Sequence, residues 1–267
     1  MTYLVGVGGG SGSGKGTITD LIQLHLEKWG LRCHILTTDD CYHNFSHLTE
    51  QERDNLCFNP DKNYDHPSSI DFVRLLKFSQ DLKNGQPFSY LTYNFKTHTY
   101  DADSVAIDVP ENLDVAIVEG NYALYSDSGA EVGKRLVNLY DHKLFVTTDP
   151  LIAQLRRIER DIKERGRAVE HIVRQLRMTV IPMYKRFIYP THLAADDVVN
   201  WDVDPSTNSQ QVKDKLIKIA RQRALVVYED VRGALRGTDV TKPALVHCLD
   251  ELKPEEVALD LPEYENV

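Results

Sequence analysis

Residues 3–17 carry the groups with the clearest chemical potential in this chain. A short apolar stretch predicts a buried strand, which breaks into glycine and opens onto an amphipathic helical pattern. Gly9, Gly14 and Lys15 have the spacing G-x-x-x-x-G-K. Glycines allow successive backbone N–H groups to turn inward, and the N-terminus of the helix adds partial positive charge. The pattern predicts a cradle for nucleotide phosphates, in which Lys15 reaches the β- and γ-phosphates.

The complete pattern has Ser or Thr after the lysine, because that hydroxyl binds Mg²⁺. Here Gly16 takes the position, and Thr17 follows one step later. Adenylate kinases also carry a Gly-Lys-Gly-Thr run, so this loss is compatible with a working kinase in which water replaces the hydroxyl. A glycine-rich turn that binds nothing is the alternative, and the strand, lysine and helix together disfavour it. The predicted phosphate-binding residues are Gly9, Gly10, Ser11, Gly12, Ser13, Gly14, Lys15, Gly16 and Thr17.

Three acidic residues follow predicted strands. Asp39 and Asp40 come after residues 33–37, and Glu119 ends the apolar run 115–118. Open α/β sheets bind their ligands at the carboxyl ends of their strands. Such acids can bind Mg²⁺, accept a proton or only cap a turn. The neighbouring phosphate loop favours chemistry, and we predict that Asp39 and Glu119 lie close to the metal.

Arginines are concentrated in residues 150–175, which we predict to be a lid. We predict that its first helix has Asp149 as N-cap and Pro150 as first residue. Arg157 and Arg160 are three positions apart and share one helical face, where guanidinium groups can stabilise a phosphoryl group in transfer. A solvated helical face is the alternative, because Glu159, Asp161 and Glu164 interleave with the arginines and form i,i+4 pairs.

Composition places limits on the class of protein. The chain has 267 residues, a net charge of -9 and 42% hydrophobic residues, which are typical of a soluble globular protein. The acidic balance argues against nucleic-acid binding, and no apolar run approaches the ~20 residues that span a bilayer. Because the sequence starts directly with a predicted core strand, we expect no signal peptide. Four cysteines without a CxxC pair predict reduced thiols in a cytoplasmic protein.

The order of predicted elements indicates an α/β protein with a mainly parallel central sheet. Residues 43–69 are expected to be mostly loop, followed by a helix capped near Ser68 or Ser69. Residues 86–110 are expected to form a small β-hairpin insertion. We expect a single domain over residues 1–232 and an acidic C-terminal extension over residues 233–267.

Six sequence blocks in order resemble the uridine–cytidine kinase family, and together they span roughly residues 3–200. The blocks are Gly9-Gly10-Ser11-Gly12-Ser13-Gly14-Lys15, Thr38-Asp39-Asp40-Cys41-Tyr42, Tyr64-Asp65-His66-Pro67, Tyr93-Asn94-Phe95-Lys96-Thr97-His98, Val118-Glu119-Gly120 and Arg160-Asp161-Ile162-Lys163-Glu164-Arg165-Gly166-Arg167. The resemblance implies the three-layer P-loop kinase fold. It also implies ATP-dependent phosphorylation of uridine or cytidine at the 5′-hydroxyl in pyrimidine salvage, with ATP and Mg²⁺ as cofactors.

The resemblance also implies roles for individual residues. Asp39 aligns with the catalytic acid, Lys15, Arg160 and Arg165 with groups around the phosphates, and Glu119 with the acid associated with Mg²⁺. The implied nucleoside-binding residues are Tyr42, Tyr64, Asp65, Tyr93, Phe95, His98, Arg157, Arg167 and Gln175. Family members are commonly oligomeric, so a homo-oligomer is a further expectation.

The chain departs from the family pattern at three positions. Gly16 replaces a hydroxyl residue, Cys41 replaces a usual Phe, and Tyr100 replaces an Arg. Two rival functions therefore stay open. One is a P-loop kinase for another small alcohol, such as pantothenate or nicotinamide riboside, and the other is a nucleotide-binding protein without catalysis.

Overall fold

The central sheet has five parallel strands in the order β2-β5-β1-β6-β7. The structure is a computed structural model that describes residues 1–127, 131–200, 202 and 209–236. The strands are β1 (Tyr3–Gly9), β2 (Cys33–Thr37), β5 (Val115–Gly120), β6 (His142–Thr147) and β7 (Asp197–Asn200). A separate antiparallel hairpin pairs β3 (Phe88–Leu91) with β4 (Ala106–Val109). The predicted parallel sheet and hairpin are both confirmed.

Helices cover both faces of the sheet. The α-helices are α1 (Lys15–Lys28), α2 (Glu50–Leu56), α3 (Phe72–Lys83), α4 (Val132–Val137), α5 (Pro150–Lys163), α6 (Val169–Gln175), α7 (Ile181–Met183) and α8 (Ser209–Arg236). Segments with π-helical hydrogen bonding, Leu176–Val180 and Tyr184–Ile188, flank α7, which contains Pro182. The proline removes one backbone donor, so a change of helical pitch is expected there.

The alternation of side chains along each strand divides the core into two layers. In β1, Leu4 faces one side, where it packs with α3, while Val5 and Val7 face the other side with α1 and α8. Successive side chains of a strand point to opposite faces, so strands with apolar residues at every position bury both faces. The result is the predicted three-layer α/β architecture, with the loop after β1 at the centre of the sheet edge.

Two boundaries differ from the sequence predictions. The cap of α3 is Asp71, whose carboxylate accepts a hydrogen bond from the backbone N–H of Arg74 at 3.0 Å, and not Ser68 or Ser69. Ser69 is buried and donates its hydroxyl to backbone carbonyls of the preceding loop. The last helix continues to Arg236, four residues past the predicted end of the domain. Residues 237–267 of the predicted acidic extension lie outside the described residues.

Within the described residues, no helix combines the length and apolar character needed to cross a membrane. In the same part of the chain, Cys33, Cys41 and Cys57 are free thiols, as predicted.

Candidate active site

The loop after β1 has the geometry of a phosphate cradle. Gly9, Gly12 and Gly14 have positive φ values of 155°, 77° and 83°. A Cβ on Gly9 would lie 2.4 Å from the carbonyl oxygen of Val146, so only glycine fits this close approach. Gly14 is the N-cap of α1, and Lys15 is its first residue. The N–H groups at this helix end are available to an anion.

The predicted lid lies directly against this loop. A Cβ on Gly12 would come within 2.0 Å of the carbonyl oxygen of Ala153 in α5. Arg160 donates from Nη2 to the hydroxyl of Ser11 at 3.3 Å. Asp149 caps α5 by accepting hydrogen bonds from the next turn, as the sequence predicted. The helix therefore delivers its arginines to the phosphate side of the site.

Asp161 organises these arginines. Its side chain is fully buried and forms ion pairs with Arg160 at 2.9 Å, Arg165 at 3.2 Å, Arg167 at 3.4 Å and Arg157 at 3.7 Å. Burial alone would raise the pKa of Asp161, but the surrounding guanidinium groups lower it below its ordinary value. The interpretation of Asp161 as part of a solvated face is therefore wrong. Its position four residues from both Arg157 and Arg165 was the available sequence signal.

The acids at the strand ends have different environments. Glu119 is largely buried, and among the described residues its Oε2 atom has no hydrogen-bond partner. Burial raises the pKa of Glu119, while the charge of Lys15 opposes that rise. Burial also lowers the pKa of Lys15, and Glu119 and Asp39 oppose that shift. Lys15, Glu119 and Asp39 therefore interact electrostatically at one place.

Asp39 and Asp40 follow β2 in a short 3₁₀ turn. Of the two, only Asp39 lines the small cavity that Ser11 and Lys15 of the phosphate loop also line. Asp40 is buried and accepts a hydrogen bond from the backbone N–H of Tyr93 at 2.9 Å. Burial raises the pKa of Asp40 to about 6. Asp40 therefore links the turn to the segment that connects β3 to β4, which is a structural role.

Asp65 lies in a buried polar network. Its Oδ2 atom accepts hydrogen bonds from Thr179 at 2.8 Å and Gln175 at 3.2 Å, and Arg157 lies 3.9 Å from Oδ1. Tyr122 donates its hydroxyl to the backbone carbonyl of Asp65. The carboxylate is thus held in one orientation by groups from two elements. No local sequence pattern marks Thr179 or Tyr122 as site residues, since each contacts Asp65 from a distant part of the chain.

Aromatic residues form the opposite wall. Tyr64 and His98 stack with ring centroids 3.8 Å apart and an interplanar angle of 7°, and Tyr42 stacks on Tyr93 at 5.0 Å. Arg165 lies over the ring of Phe95, 4.4 Å from its centroid. The hydroxyl of Tyr93 is buried, and no described residue hydrogen-bonds to it. Stacked rings with polar edges can bind a flat heterocycle.

His98 is held in a single protonation state. Burial, with the charges of Arg167 and Arg165, lowers the pKa of His98 to about 3, so the ring is neutral near pH 7. The Nη2 atom of Arg167 lies 3.5 Å from His98 Nε2. Because a guanidinium only donates, Nε2 is the acceptor and Nδ1 carries the proton. Nδ1 is buried, and within the described residues it has no hydrogen-bond partner.

Most of the predicted site residues line one cavity. Its lining comprises Ser11, Lys15, Asp39, Tyr42, Tyr64, Asp65, Phe95, His98, Asn121, Arg157, Arg160, Arg165, Arg167 and Gln175. The cavity has a volume of about 50 Å³, and at its aromatic end Phe95 and His98 also line a second cavity of about 610 Å³. Asn121 was not predicted. Tyr93 does not line the small cavity and lies behind Tyr42.

The structure explains one of the three departures from the family pattern, Tyr100. No atom lies within 4 Å of a Cβ built on Gly16, so a side chain fits there and glycine is not required by packing. Tyr100 donates its hydroxyl to the backbone carbonyls of Asp40 and Tyr42, at 2.9 Å each. It therefore supports the turn that carries Asp39. Cys41 is fully buried in the core beside that turn.

Comparison with known proteins agrees with this geometry. Residues 4–207 match the sequence model of the Phosphoribulokinase / Uridine kinase family. The chain belongs to this family. It is 39% identical over 198 residues to uridine kinase from Staphylococcus epidermidis, and 38% identical over 198 residues to uridine kinase from Staphylococcus aureus. Each alignment covers 74% of this chain and 87% of the relative.

Solved structures of other kinases share the fold. Phosphoribulokinase from Rhodobacter spheroides superimposes with a TM-score of 0.55 and 16% identity, covering 77% of this chain and 73% of that chain. D-glycerate 3-kinase from Cryptococcus neoformans has a TM-score of 0.50 and 20% identity, covering 74% of this chain and 86% of that chain. These matches confirm the P-loop kinase fold predicted from the sequence.

Proposed function

We propose that this chain is an ATP-dependent nucleoside kinase that phosphorylates the 5′-hydroxyl of a pyrimidine nucleoside, as in pyrimidine salvage. One observation carries the proposal. Residues that follow β1, β2, β3 and β5 and residues of α5 and α6 meet at one cavity with a phosphate cradle at one end and stacked aromatic rings at the other. The names of the curated relatives, uridine kinases at 38–39% identity, point to the same activity.

In the proposed reaction, the loop amides and Lys15 bind the phosphates of ATP. Lys15 is positioned beside the loop, with its ammonium 3.5 Å from the carbonyl of Gly10. Arg160 and Arg165 meet the negative charge that spreads over the transferred phosphoryl oxygens. Phosphoryl transfer depends on alignment and charge neutralisation more than on covalent help from the protein.

Asp39 orients the 5′-hydroxyl of the nucleoside and accepts its proton late in the transfer. An ordinary carboxylate is too weak a base to deprotonate an alcohol in advance, so its main contribution is alignment. Its location at the end of β2, facing the loop across the sheet edge, suits an in-line approach of the hydroxyl.

Glu119 and Asp39 fit a Mg²⁺ ion that accompanies ATP. The unpartnered buried oxygen of Glu119 is the observation that supports this fit, since a buried carboxylate oxygen without a donor is a costly arrangement. When bound, Mg²⁺ supplies charge neutralisation between the phosphates. Because Gly16 takes the position of the usual hydroxyl ligand, a water molecule would have to replace that ligand.

The nucleoside would bind between Asp65 and the aromatic wall. Asp65, with Arg157 and Gln175 beside it, offers acceptors and donors for the two ribose hydroxyls. Tyr42, Tyr64 and Phe95 would enclose the base, and Arg167 and His98 would meet its polar edge. The 50 Å³ cavity is far smaller than the ~300–1,000 Å³ of typical ligand pockets, so we expect the lid formed by α5 and α6 to move outward when a nucleoside binds.

The protonation of His98 predicts a preference for uridine. His98 Nδ1–H is a donor, so it can pair with the O4 carbonyl of uridine but meets another donor in the N4 amino group of cytidine. An unpaired buried group costs about 1–3 kcal/mol, and a cost of about 1.4 kcal/mol within this range corresponds to a tenfold difference in kcat/KM.

Replacement of Asp39 tests the assignment of the catalytic acid. We expect Asp39→Asn to lower kcat by about 10²–10⁴-fold with little change in the Kd for ATP. Rapid-quench kinetics and equilibrium binding of a fluorescent ATP analogue measure the two quantities. Asp40→Asn is the matched control, because Asp40 does not line the cavity. Near-normal turnover in Asp39→Asn would refute the assignment.

A further inference from the structure

A cluster of three metal-ligating side chains lies outside the proposed active site. Asp54 at the end of α2, Cys57 just after it, and His171 in α6 present ligand atoms that all lie within 4.8 Å of one another. The cluster lies on the wall of the 610 Å³ cavity that adjoins the aromatic end of the site. The proposed kinase chemistry uses none of these three side chains.

The types of side chain match a transition-metal site. A thiolate, an imidazole and a carboxylate are the usual protein ligands of Zn²⁺, and three of them with one water form a tetrahedral site. In such a site the ligand atoms are about 3.3–3.8 Å apart, given bonds of about 2.0–2.3 Å. Asp54 is exposed at a helix end and His171 is partly exposed, so small side-chain rotations suffice to close the remaining distance.

His171 supplies a second observation. Its Nε2 atom lies 3.3 Å from the Asp54 carboxylate, while its Nδ1 atom is buried and has no hydrogen-bond partner among the described residues. The ring also packs edge-on against Phe58, with centroids 4.7 Å apart. The ring is thus held with Nε2 toward Asp54, which makes Nε2 the nitrogen available to an ion shared with that carboxylate.

The surrounding charge permits a divalent ion. Arg53, Arg165 and Arg167 line the same cavity and disfavour an isolated cation. A thiolate and a carboxylate together neutralise the two charges of the metal, so the loaded site has no net charge for the arginines to repel. Arg165 and Arg167 are in addition paired with Asp161.

We propose that Asp54, Cys57 and His171 form a binding site for Zn²⁺ or a similar thiophilic divalent ion, which fastens α2 to α6. The site is separate from the proposed Mg²⁺ site at Glu119 and Asp39 and differs from it in ligand type. It connects to the nucleoside side of the molecule, because Thr179 donates to both the backbone carbonyl of Cys57 and the carboxylate of Asp65.

Cobalt titration of the full-length, chelator-treated protein tests this site. Co²⁺ replaces Zn²⁺ in such sites, and a thiolate ligand gives a cobalt charge-transfer absorption band that an all-oxygen Mg²⁺ site does not give. We expect one equivalent of Co²⁺ to produce the band, and Zn²⁺ to displace it. Cys57→Ser should abolish the band and weaken Zn²⁺ binding at least 100-fold.

Two further variants make the result specific. His171→Gln should keep the cobalt band but weaken Zn²⁺ binding at least tenfold. This variant still tests the site if Cys57→Ser fails to fold. Cys33→Ser is the matched control, since Cys33 lies in β2 outside the cluster, and it should bind like the parent protein. Absence of the band in the parent protein, or a band that persists in Cys57→Ser, would overturn the proposal. Neither readout depends on the kinase activity.

Discussion

Removal of the charge on Asp161 is the most informative single change in the lid. Asp161→Asn keeps the shape and one acceptor oxygen but leaves Arg157, Arg160, Arg165 and Arg167 without their common counter-ion. Three of these guanidinium groups are largely buried, and Arg160 is about one-third exposed. Four positive charges that a fully buried carboxylate now holds together would therefore repel one another.

The expected loss of stability follows from the burial. Removing one partner of a buried ion pair costs about 3–5 kcal/mol, because the remaining charge stays desolvated. Rotation of the partly exposed Arg160 into solvent relieves some of this cost, so we expect the free energy of unfolding to fall by about 3 kcal/mol. Misplacement of the arginines should also lower kcat by about 10²-fold, since they act on the transferred phosphoryl group.

Urea unfolding and steady-state ADP release measure the two effects. Glu159→Gln is the matched control, because Glu159 is on the same helix and pairs with Lys163 at 2.7 Å in an exposed position. An exposed pair contributes about 0–1 kcal/mol, so this variant should resemble the parent protein in both assays. Equal behaviour of Asp161→Asn and Glu159→Gln would refute the central role of Asp161.

Two other predictions concern Gly16 and His98. Gly16→Ser should raise the free energy of unfolding by about 0.5 kcal/mol, because the position is helical and open. It should also lower the Mg²⁺ concentration for half-maximal activity several-fold, because it restores the hydroxyl of the motif. A fall of more than about 1 kcal/mol in the free energy of unfolding, measured in urea, would contradict this prediction. His98→Asn is the variant of choice for the second prediction, because asparagine tolerates the positive φ of 56° at this position. Folded His98 stays neutral down to its pKa of about 3, whereas the unfolded residue binds a proton below about pH 6.5, so protonation favours unfolding. The parent protein should lose about 2 kcal/mol more stability between pH 6.5 and 5 than His98→Asn, and equal losses would disprove the shift.

Local patterns in the sequence predicted the parts of the fold that depend on local physics. The strand, glycine loop and helix around Lys15 follow from periodicity and glycine conformation, and Asp149-Pro150 marks the start of α5. The predicted cap of α3 was wrong because Ser and Asp are both residue types that cap helices, and only tertiary packing decides among Ser68, Ser69 and Asp71.

Burial and contacts between distant residues could not be predicted from local sequence patterns. Acidic residues between arginines are typical of a solvated helix, and only the fold reveals that Asp161 is enclosed. Asp54 and His171 are 117 positions apart, so their proximity depends on how α2 and α6 pack. The link from Thr179 to Asp65 likewise joins residues 114 positions apart.

The most direct test of the proposed function is a coupled ADP-release assay with MgATP and a panel of nucleosides and small alcohols. The panel contains uridine, cytidine, adenosine, nicotinamide riboside and pantothenate. We predict turnover on uridine and cytidine alone, with kcat/KM about tenfold higher for uridine. Turnover on pantothenate or nicotinamide riboside instead, or ATP binding without transfer to any of the five compounds, would contradict the proposed function.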